Sequence, residues 1–299
     1  MSIFPNFPRM QEPLVLAIQS HVTHGKCGNR SGVLPMEVNG IDVDPLNTVN
    51  FSTHTAYPHV KGTIMNLQEF RDQMDGLRYN KILETYTHLL TGYIGDPQVV
   101  RELVSLRKEL NPGVHYLCDP VLGDACGYYV SKDCLSILRD ELVPVADTIT
   151  PNSYEAEWLT DKKINNQKDL IEVVNALHKL GPKNVIISSM VWKHRYVFFS
   201  FDNGKQQYVY ETPSFDRGFT GPGDIFASLL MASIVKTPND YYKIASYTVN
   251  ATYAIIKRTY ELGFRELALH KSIDLIINPP EEFKPLDLQA LLNLKPEEL

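Results

Sequence analysis

The chain has 299 residues, 43% of them hydrophobic and 21% charged, with a formal net charge of −6. That composition supports a sizeable core, and an acidic balance without a basic block argues against nucleic acid as the main partner. Cys27, Cys118, Cys126 and Cys134 form no C-x-x-C pair, which argues against a zinc or redox motif and fits reduced thiols in the cytoplasm.

Met1 to Pro13 holds three prolines and no long apolar run. It reads as an irregular arm over residues 1–12 rather than a signal peptide. Short apolar runs then alternate with helix-period segments, the pattern of stacked β-α units around a mostly parallel sheet. The predicted strands are Leu14 to Ile18, Thr48 to Ser52, His88 to Tyr93, Val114 to Cys118, Asp147 to Thr150 and Asn184 to Ser188. Between the third and fourth, Asp96 is placed to cap a helix with Pro97 at its first position. Its apolar residues Val99, Leu103, Leu106 and Leu110 make one stripe, and Pro112-Gly113 stops it. Leu170, Val174 and Leu177 make another stripe, ended by Gly181-Pro182. A hairpin follows, Tyr196 to Phe201 and Gln207 to Tyr210, turning through Asp202-Asn203-Gly204. Ile225 to Val235 is the longest strongly apolar stretch and has about half the length a bilayer span needs. Asp240 to Leu262 reads as a long helix closed by Gly263, its tyrosines and isoleucines serving packing. Residues 264–299 read as a C-terminal helix and tail, and no composition break divides the single domain expected over 1–299.

In open α/β sheets ligands sit beyond the carboxyl ends of the strands. Those ends are polar here: Gln19-Ser20-His21, Ser52 to Tyr57, Gly92-Tyr93, Asp119 to Asp124, Thr150 to Glu155 and Ser188-Ser189. Asp119, Asp124 and Glu155 are hard oxygen donors of the kind Mg²⁺ takes, or else caps and solvated turns. Gly218 to Asp224 is a glycine-rich turn that opens the apolar helix, with a carboxylate at the junction. Free N–H groups and the helix dipole make such a start an anion site. Phosphate beside a carboxylate base suits phosphoryl transfer to a hydroxyl; the alternative is that Asp224 only complements the dipole. Gly25-Lys26-Cys27 is not a Walker loop, so the phosphate site is of another kind.

Taken in order, Ile18-Gln19-Ser20-His21-Val22, Phe51 to Tyr57, Thr91-Gly92-Tyr93, Cys118 to Asp124, Ile149 to Asn152, Glu155-Ala156-Glu157 and Gly221-Pro222-Gly223-Asp224 closely resemble the pyridoxal kinases of the ribokinase-like superfamily. The resemblance runs from about Leu14 to about Tyr260. It implies a three-layer α/β/α fold, usually in a homodimer. It also implies ATP-dependent phosphorylation of the 5′-hydroxymethyl group of pyridoxal, pyridoxine or pyridoxamine, with Mg²⁺ and a monovalent cation, K⁺ or Na⁺.

Matched position by position, the resemblance makes Asp224 the general base and gives Gly221 and Gly223 the anion hole. Ser20 bonds the pyridine ring, Thr55 and Tyr93 line the pyridoxal pocket, and Val49 and Phe51 form its apolar side. Asp119 and Glu155 stand near the metal. Thr150, Asn152, Ser188 and Ser189 take the nucleotide side, and Asp124 opens a flap, running to Tyr129, that closes over ATP. Two departures stand out. Pro222 replaces the usual threonine, removing one N–H and one hydroxyl, although proline suits a first helical turn. The flap, Asp124-Ala125-Cys126-Gly127-Tyr128, is short. The competing functions are a hydroxymethylpyrimidine or sugar kinase of the same superfamily, and a non-catalytic vitamin B6 carrier.

Overall fold

A computed structural model describes residues 12–292; the expected N-terminal arm lies outside them except for its last residue. In chain order the strands and helices are β1 (Leu14–Val22), α1 (Asn29–Val38), β2 (Asp42–Phe51), β3 (Gly62–Ile64), α2 (Leu67–Tyr79), β4 (His88–Thr91), α3 (Pro97–Glu109), β5 (His115–Cys118), β6 (Gly123–Asp124), β7 (Gly127–Tyr128), α4 (Lys132–Ile137), β8 (Thr148–Ile149), α5 (Ser153–Thr160), α6 (Gln167–Leu180), β9 (Asn184–Val191), β10 (Arg195–Phe201), β11 (Gln206–Thr212), α7 (Pro222–Lys236), α8 (Tyr241–Glu261), α9 (Ile273–Ile277) and α10 (Leu288–Leu292). The main sheet has the order β11-β10-β9-β8-β5-β4-β1-β2-β3. From β9 to β2 every neighbouring pair is parallel, and antiparallel strands close both edges. The carboxyl ends of the six parallel strands therefore share one rim, as the sequence implied.

Alternating side chains of each central strand enter opposite cores. Leu14, Leu16 and Ile18 of β1 join the cluster under α3 and α6, with Leu103 and Val174. Val15 and Ala17 join the cluster under α7 and α8, with Leu230 and Val249. A strand covered on both faces needs apolar residues at every position, which is why β1 reads as a continuous run. Each such valine, leucine or isoleucine contributes about 1.5–3 kcal/mol when fully buried.

The helix signals act as read. Asp96 Oδ1 accepts from the Gln98 N–H at 2.7 Å, with Pro97 at the first helical position. Asp240 caps α8, and Gly263 beyond it has φ 69°. The β10–β11 turn holds Asp202, Asn203 and Gly204 at positive φ. Several elements escaped sequence reading, among them β3, α1, α2, α4 and α5, and others differ in their bounds. β2 begins at Asp42, six residues before the predicted start, through Asp42, Asp44 and Pro45, residue types depleted in strands. Pro45 is accommodated because this half of β2 pairs only with β1, leaving its other side an edge. α1 is interrupted by Pro35 and has a weak apolar stripe. The C-terminal segment is not one helix: α9 and α10 are two short ones, separated by a stretch that pairs at Leu286 with Val209. Among the described residues no helix is long and apolar enough to cross a membrane.

Candidate active site

The start of α7 is pressed against the loop that leaves β1. Gly221, its N-cap, has φ 92°, and a Cβ there would lie 2.0 Å from the Lys26 carbonyl oxygen. Both the positive φ and the close approach demand glycine. Pro222 takes the first helical position, where the N–H it lacks would have had no partner inside the helix. Gly223 is exposed, with open space where a Cβ would stand. Asp224 occupies the first turn, half-buried, and the Gly28 backbone N–H donates to its carboxylate. Burial pushes its pKa up from the ordinary 3.8 to about 6, against the pull of that N–H. The glycine turn thus does join the polar strand ends.

Gly28 is itself the N-cap of α1, held by a polar knot at the end of β1. Asn29 Nδ2 donates to the Leu46 carbonyl at 3.0 Å and to Asn47 Oδ1 at 2.9 Å, and Gln19 Nε2 donates to Asn29 Oδ1 at 3.4 Å. A Cβ on Gly28 would fall on the backbone and hydroxyl of Ser20, so the two chains touch. Two helix starts, α1 and α7, consequently flank Ser20 and Asp224.

Asp119 follows β5 and is nearly fully buried. Burial first, then the charges of Glu155 and Asp224, raise its pKa well above the usual carboxylate range. Three carboxylates are therefore close enough to feel one another. Glu155 is held differently. Its Oε1 accepts from Leu122 N–H at 2.9 Å and Gly123 N–H at 3.3 Å, and its Oε2 accepts from Asn152 N–H at 2.8 Å. Asn152 reciprocates in a capping box with Glu155 and donates from Nδ2 to the Gly123 carbonyl at 2.8 Å. Both residues thus anchor the root of the flap. Among the described residues no three His, Cys, Asp or Glu side chains form a ready metal cage.

The flap is a two-stranded ribbon, β6 paired with β7, with Asp124 Oδ1 accepting from the Cys126 N–H at 2.7 Å. Its second strand lies on α5: the Tyr128 ring, paired across from Gly123, stacks on Trp158 at 4.1 Å between centroids, with Tyr154 beside it. That latch was not read from sequence, because the pair is thirty residues apart and only folding stacks it.

On the side of β1 and β2, Val49 is buried and Phe51 half-buried, Thr48 Oγ1 donates to the Tyr93 carbonyl at 2.7 Å, and Tyr93 is half-buried. Thr55 is exposed in the loop after β2. At the other end of the rim, Ser188 and Ser189 are half-buried within β9, which runs on to Val191 past the strand end expected at Ser188, and Arg195 Nη1 donates to Ser189 Oγ at 2.6 Å. Arg195 was missed by sequence reasoning, since a lone arginine opening a hairpin strand carries no pattern. Burial lowers its pKa, and no carboxylate pairs with it among the described residues.

Comparison with known proteins agrees with this geometry. A family model described as phosphomethylpyrimidine kinase matches residues 84–264. Pyridoxal kinase from Ovis aries is 39% identical over 83% of this chain and 86% of its own length. Pyridoxal kinase from Arabidopsis thaliana is 36% identical over 90% and 93%. Among solved structures, pyridoxal kinase from Leishmania donovani in complex with ADP and pyridoxamine superposes with a TM-score of 0.86 at 32% identity, covering 92% of this chain and all of that one. With a parallel rim, an anion-ready helix start and a carboxylate at its mouth, and relatives matched over most of their length, the chain belongs to the pyridoxal kinase family of the ribokinase-like superfamily.

Proposed function

We propose that this chain is a single kinase domain that transfers the γ-phosphoryl group of ATP to the 5′-hydroxyl of pyridoxal, pyridoxine or pyridoxamine. The observation that carries the reading is Asp224 at the mouth of α7: a partly buried carboxylate with raised pKa, set beside free helix N–H groups. Asp224 takes the proton of the substrate hydroxyl as its oxygen attacks phosphorus. The N–H groups of Gly223 and Asp224, which precede the first intrahelical bond from Ile225 to Gly221, meet the charge growing on the transferred phosphoryl. Pro222 removes a donor from this set, yet leaves the dipole and those N–H groups in place.

Mg²⁺ fits this site. Asp119 is a buried carboxylate crowded by the charges of Glu155 and Asp224, a grouping that a cation relieves. Asp119 would hold it directly, with phosphate and water oxygens completing the shell, and Glu155, engaged by three N–H groups, would meet it through water. Bound there, the ion neutralises charge on the phosphates. Thr150, Ser188, Ser189 and Arg195 would take the polyphosphate, while Asp124 and the flap exclude water above it. Asn152 acts in this scheme through the flap root. Ser20 faces the pyridine ring, and Val49, Phe51, Thr55 and Tyr93 wall it. A K⁺ or Na⁺ requirement, a homodimer and a cytoplasmic location complete the reading; salt titration, light scattering and fractionation test them.

A second reading rests on the family model, whose matched segment begins after Ser20, Val49, Phe51 and Thr55. That model speaks for the kinase core and, of the substrate wall, for Tyr93 alone, so a hydroxymethylpyrimidine remains the competing alcohol. A substrate panel with ATP and Mg²⁺ decides between them. Phosphorylation of the B6 vitamers is the expected result. Turnover of the pyrimidine alone would overturn the assignment, and no turnover of any alcohol would favour a carrier.

A further inference from the structure

Glu266, in the loop beyond α8, reaches into the side of the site away from the nucleotide. Its Oε1 accepts from the Tyr57 hydroxyl at 2.8 Å and lies 3.0 Å from His54 Nε2, and its Oε2 accepts from the Lys26 backbone N–H at 3.0 Å. His54 and Tyr57 flank Thr55 on the loop after β2. Lys26 belongs to the loop after β1, which supplies both the carbonyl packed on Gly221 and the Gly28 N–H that bonds Asp224. Gly25, at φ 111°, leaves the room: a Cβ there would stand 3.0 Å from both Glu266 Oε2 and His54 Cδ2.

Two exposed side chains lie against Tyr57 on the outer face. The Arg265 guanidinium lies 3.9 Å from the centre of the Tyr57 ring, and His24 Nε2 lies 3.1 Å from the Tyr57 hydroxyl. Burial would raise the Glu266 pKa, but the bonds from His54, Tyr57 and Lys26 outweigh it and hold the carboxyl below its ordinary value. A partly buried carboxylate is a costlier way to fill space than an apolar side chain, which would desolvate no charge. Its three partners belong to two loops and none to the core.

We propose that Glu266 is a positioning residue for the acceptor alcohol: one carboxylate ties the Thr55 loop to the Gly25–Gly28 loop, so that the pyridoxal wall and the base keep a fixed spacing. This rests on the kinase reading above. The test varies pyridoxal and ATP separately for wild type, Glu266→Ala, Glu266→Gln and Tyr57→Phe, with a thermal melt of each. A misplaced loop of this kind costs roughly ten- to a hundredfold, so Glu266→Ala should raise the pyridoxal KM by about that factor while the ATP KM moves less than about twofold. Glu266→Gln, which keeps an acceptor oxygen, should fall between it and wild type. Tyr57→Phe removes a single hydroxyl bonded to Glu266 and should raise the pyridoxal KM by up to about tenfold, with its melting point lowered by no more than a few degrees. An unchanged pyridoxal KM in Tyr57→Phe and Glu266→Ala overturns the proposal. So does a rise of both KM values together in Glu266→Ala with Tyr57→Phe left at wild-type values. If wild type phosphorylates a different alcohol, the assignment of substrate fails instead, and the same KM split on that alcohol still decides for or against the clamp.

Discussion

Replacing Asp224 by Asn keeps the shape of the side chain and removes both its charge and its basicity. If Asp224 draws the proton from the acceptor hydroxyl, turnover should fall by about 10²–10⁴-fold, the usual worth of a general base, equivalent to about 2.7–5.5 kcal/mol in the barrier. The ATP KM should change little, because the N–H groups of the helix start are backbone atoms and remain. The pH profile adds a signature. The wild-type carboxyl has its pKa raised to about 6, so kcat/KM should climb with pH through that value and level above it, and the Asn variant should lack the climb. Stability moves the other way. A carboxyl whose folded pKa lies above its ordinary 3.8 contributes stability that is complete below 3.8 and lost as pH rises through about 6. The shift of 2.2 from 3.8 to about 6, at about 1.4 kcal/mol per unit, bounds the cost of the charge at about 3 kcal/mol above that pH. Partial exposure screens this and the helix dipole returns up to about 1 kcal/mol, leaving a gain of about 1–2 kcal/mol for the Asn variant at pH 8. That is a rise of roughly 2–8 °C in Tm, shrinking as the pH falls through 6. Coupled ADP-release kinetics and differential scanning fluorimetry across pH measure both effects. Unchanged turnover, or an Asn variant that keeps the acidic limb, would refute the assigned role.

Four further substitutions separate the parts of the site. Gly221→Ala puts a methyl on the Lys26 carbonyl at positive φ, and should cost more than the roughly 1–2 kcal/mol of the left-handed conformation alone. Gly223→Ala, facing open space, should leave Tm within about 1 °C, as surface changes do, while raising the ATP KM; equal Tm losses in the two would contradict the geometry. Trp158→Ala removes the stacked partner of Tyr128, a contact worth about 0.5–1.5 kcal/mol beyond its burial. Limited proteolysis should then cut faster between residues 123 and 129, and ATP hydrolysis without acceptor should rise. Arg195→Met removes a charge-assisted donor worth about 1.5–3 kcal/mol, so the ATP KM should rise by about ten- to a hundredfold with the pyridoxal KM unmoved. A pyridoxal-specific effect would show that Arg195 serves the other end of the rim.

The parallel core was legible because its strands are apolar on both faces, and its helices because Asp96-Pro97, Asp240 and Gly263 mark their ends. Elements whose stability comes from neighbours were not. β2 begins in Asp42-Val43-Asp44-Pro45 and is a strand only because β1 supplies its partners. α1 has little amphipathic signal and is held by packing against β2 and α7. Within the site, residue types pointed to Asp119, Glu155 and Asn152 together, yet hydrogen bonding separates them. Asp119 faces the cluster of charge, whereas Glu155 and Asn152 brace the flap root.

Local patterns therefore named the carboxylate and the glycine turn, since a helix start, its dipole and its free N–H groups are properties of a few consecutive residues. Long-range packing alone put Glu266 against His54, set Arg195 beside Ser189 and laid Tyr128 on Trp158. It also raised the pKa of Asp224, because burial depends on which distant chains close around a group. Such contacts leave no periodicity or spacing in the chain to be read.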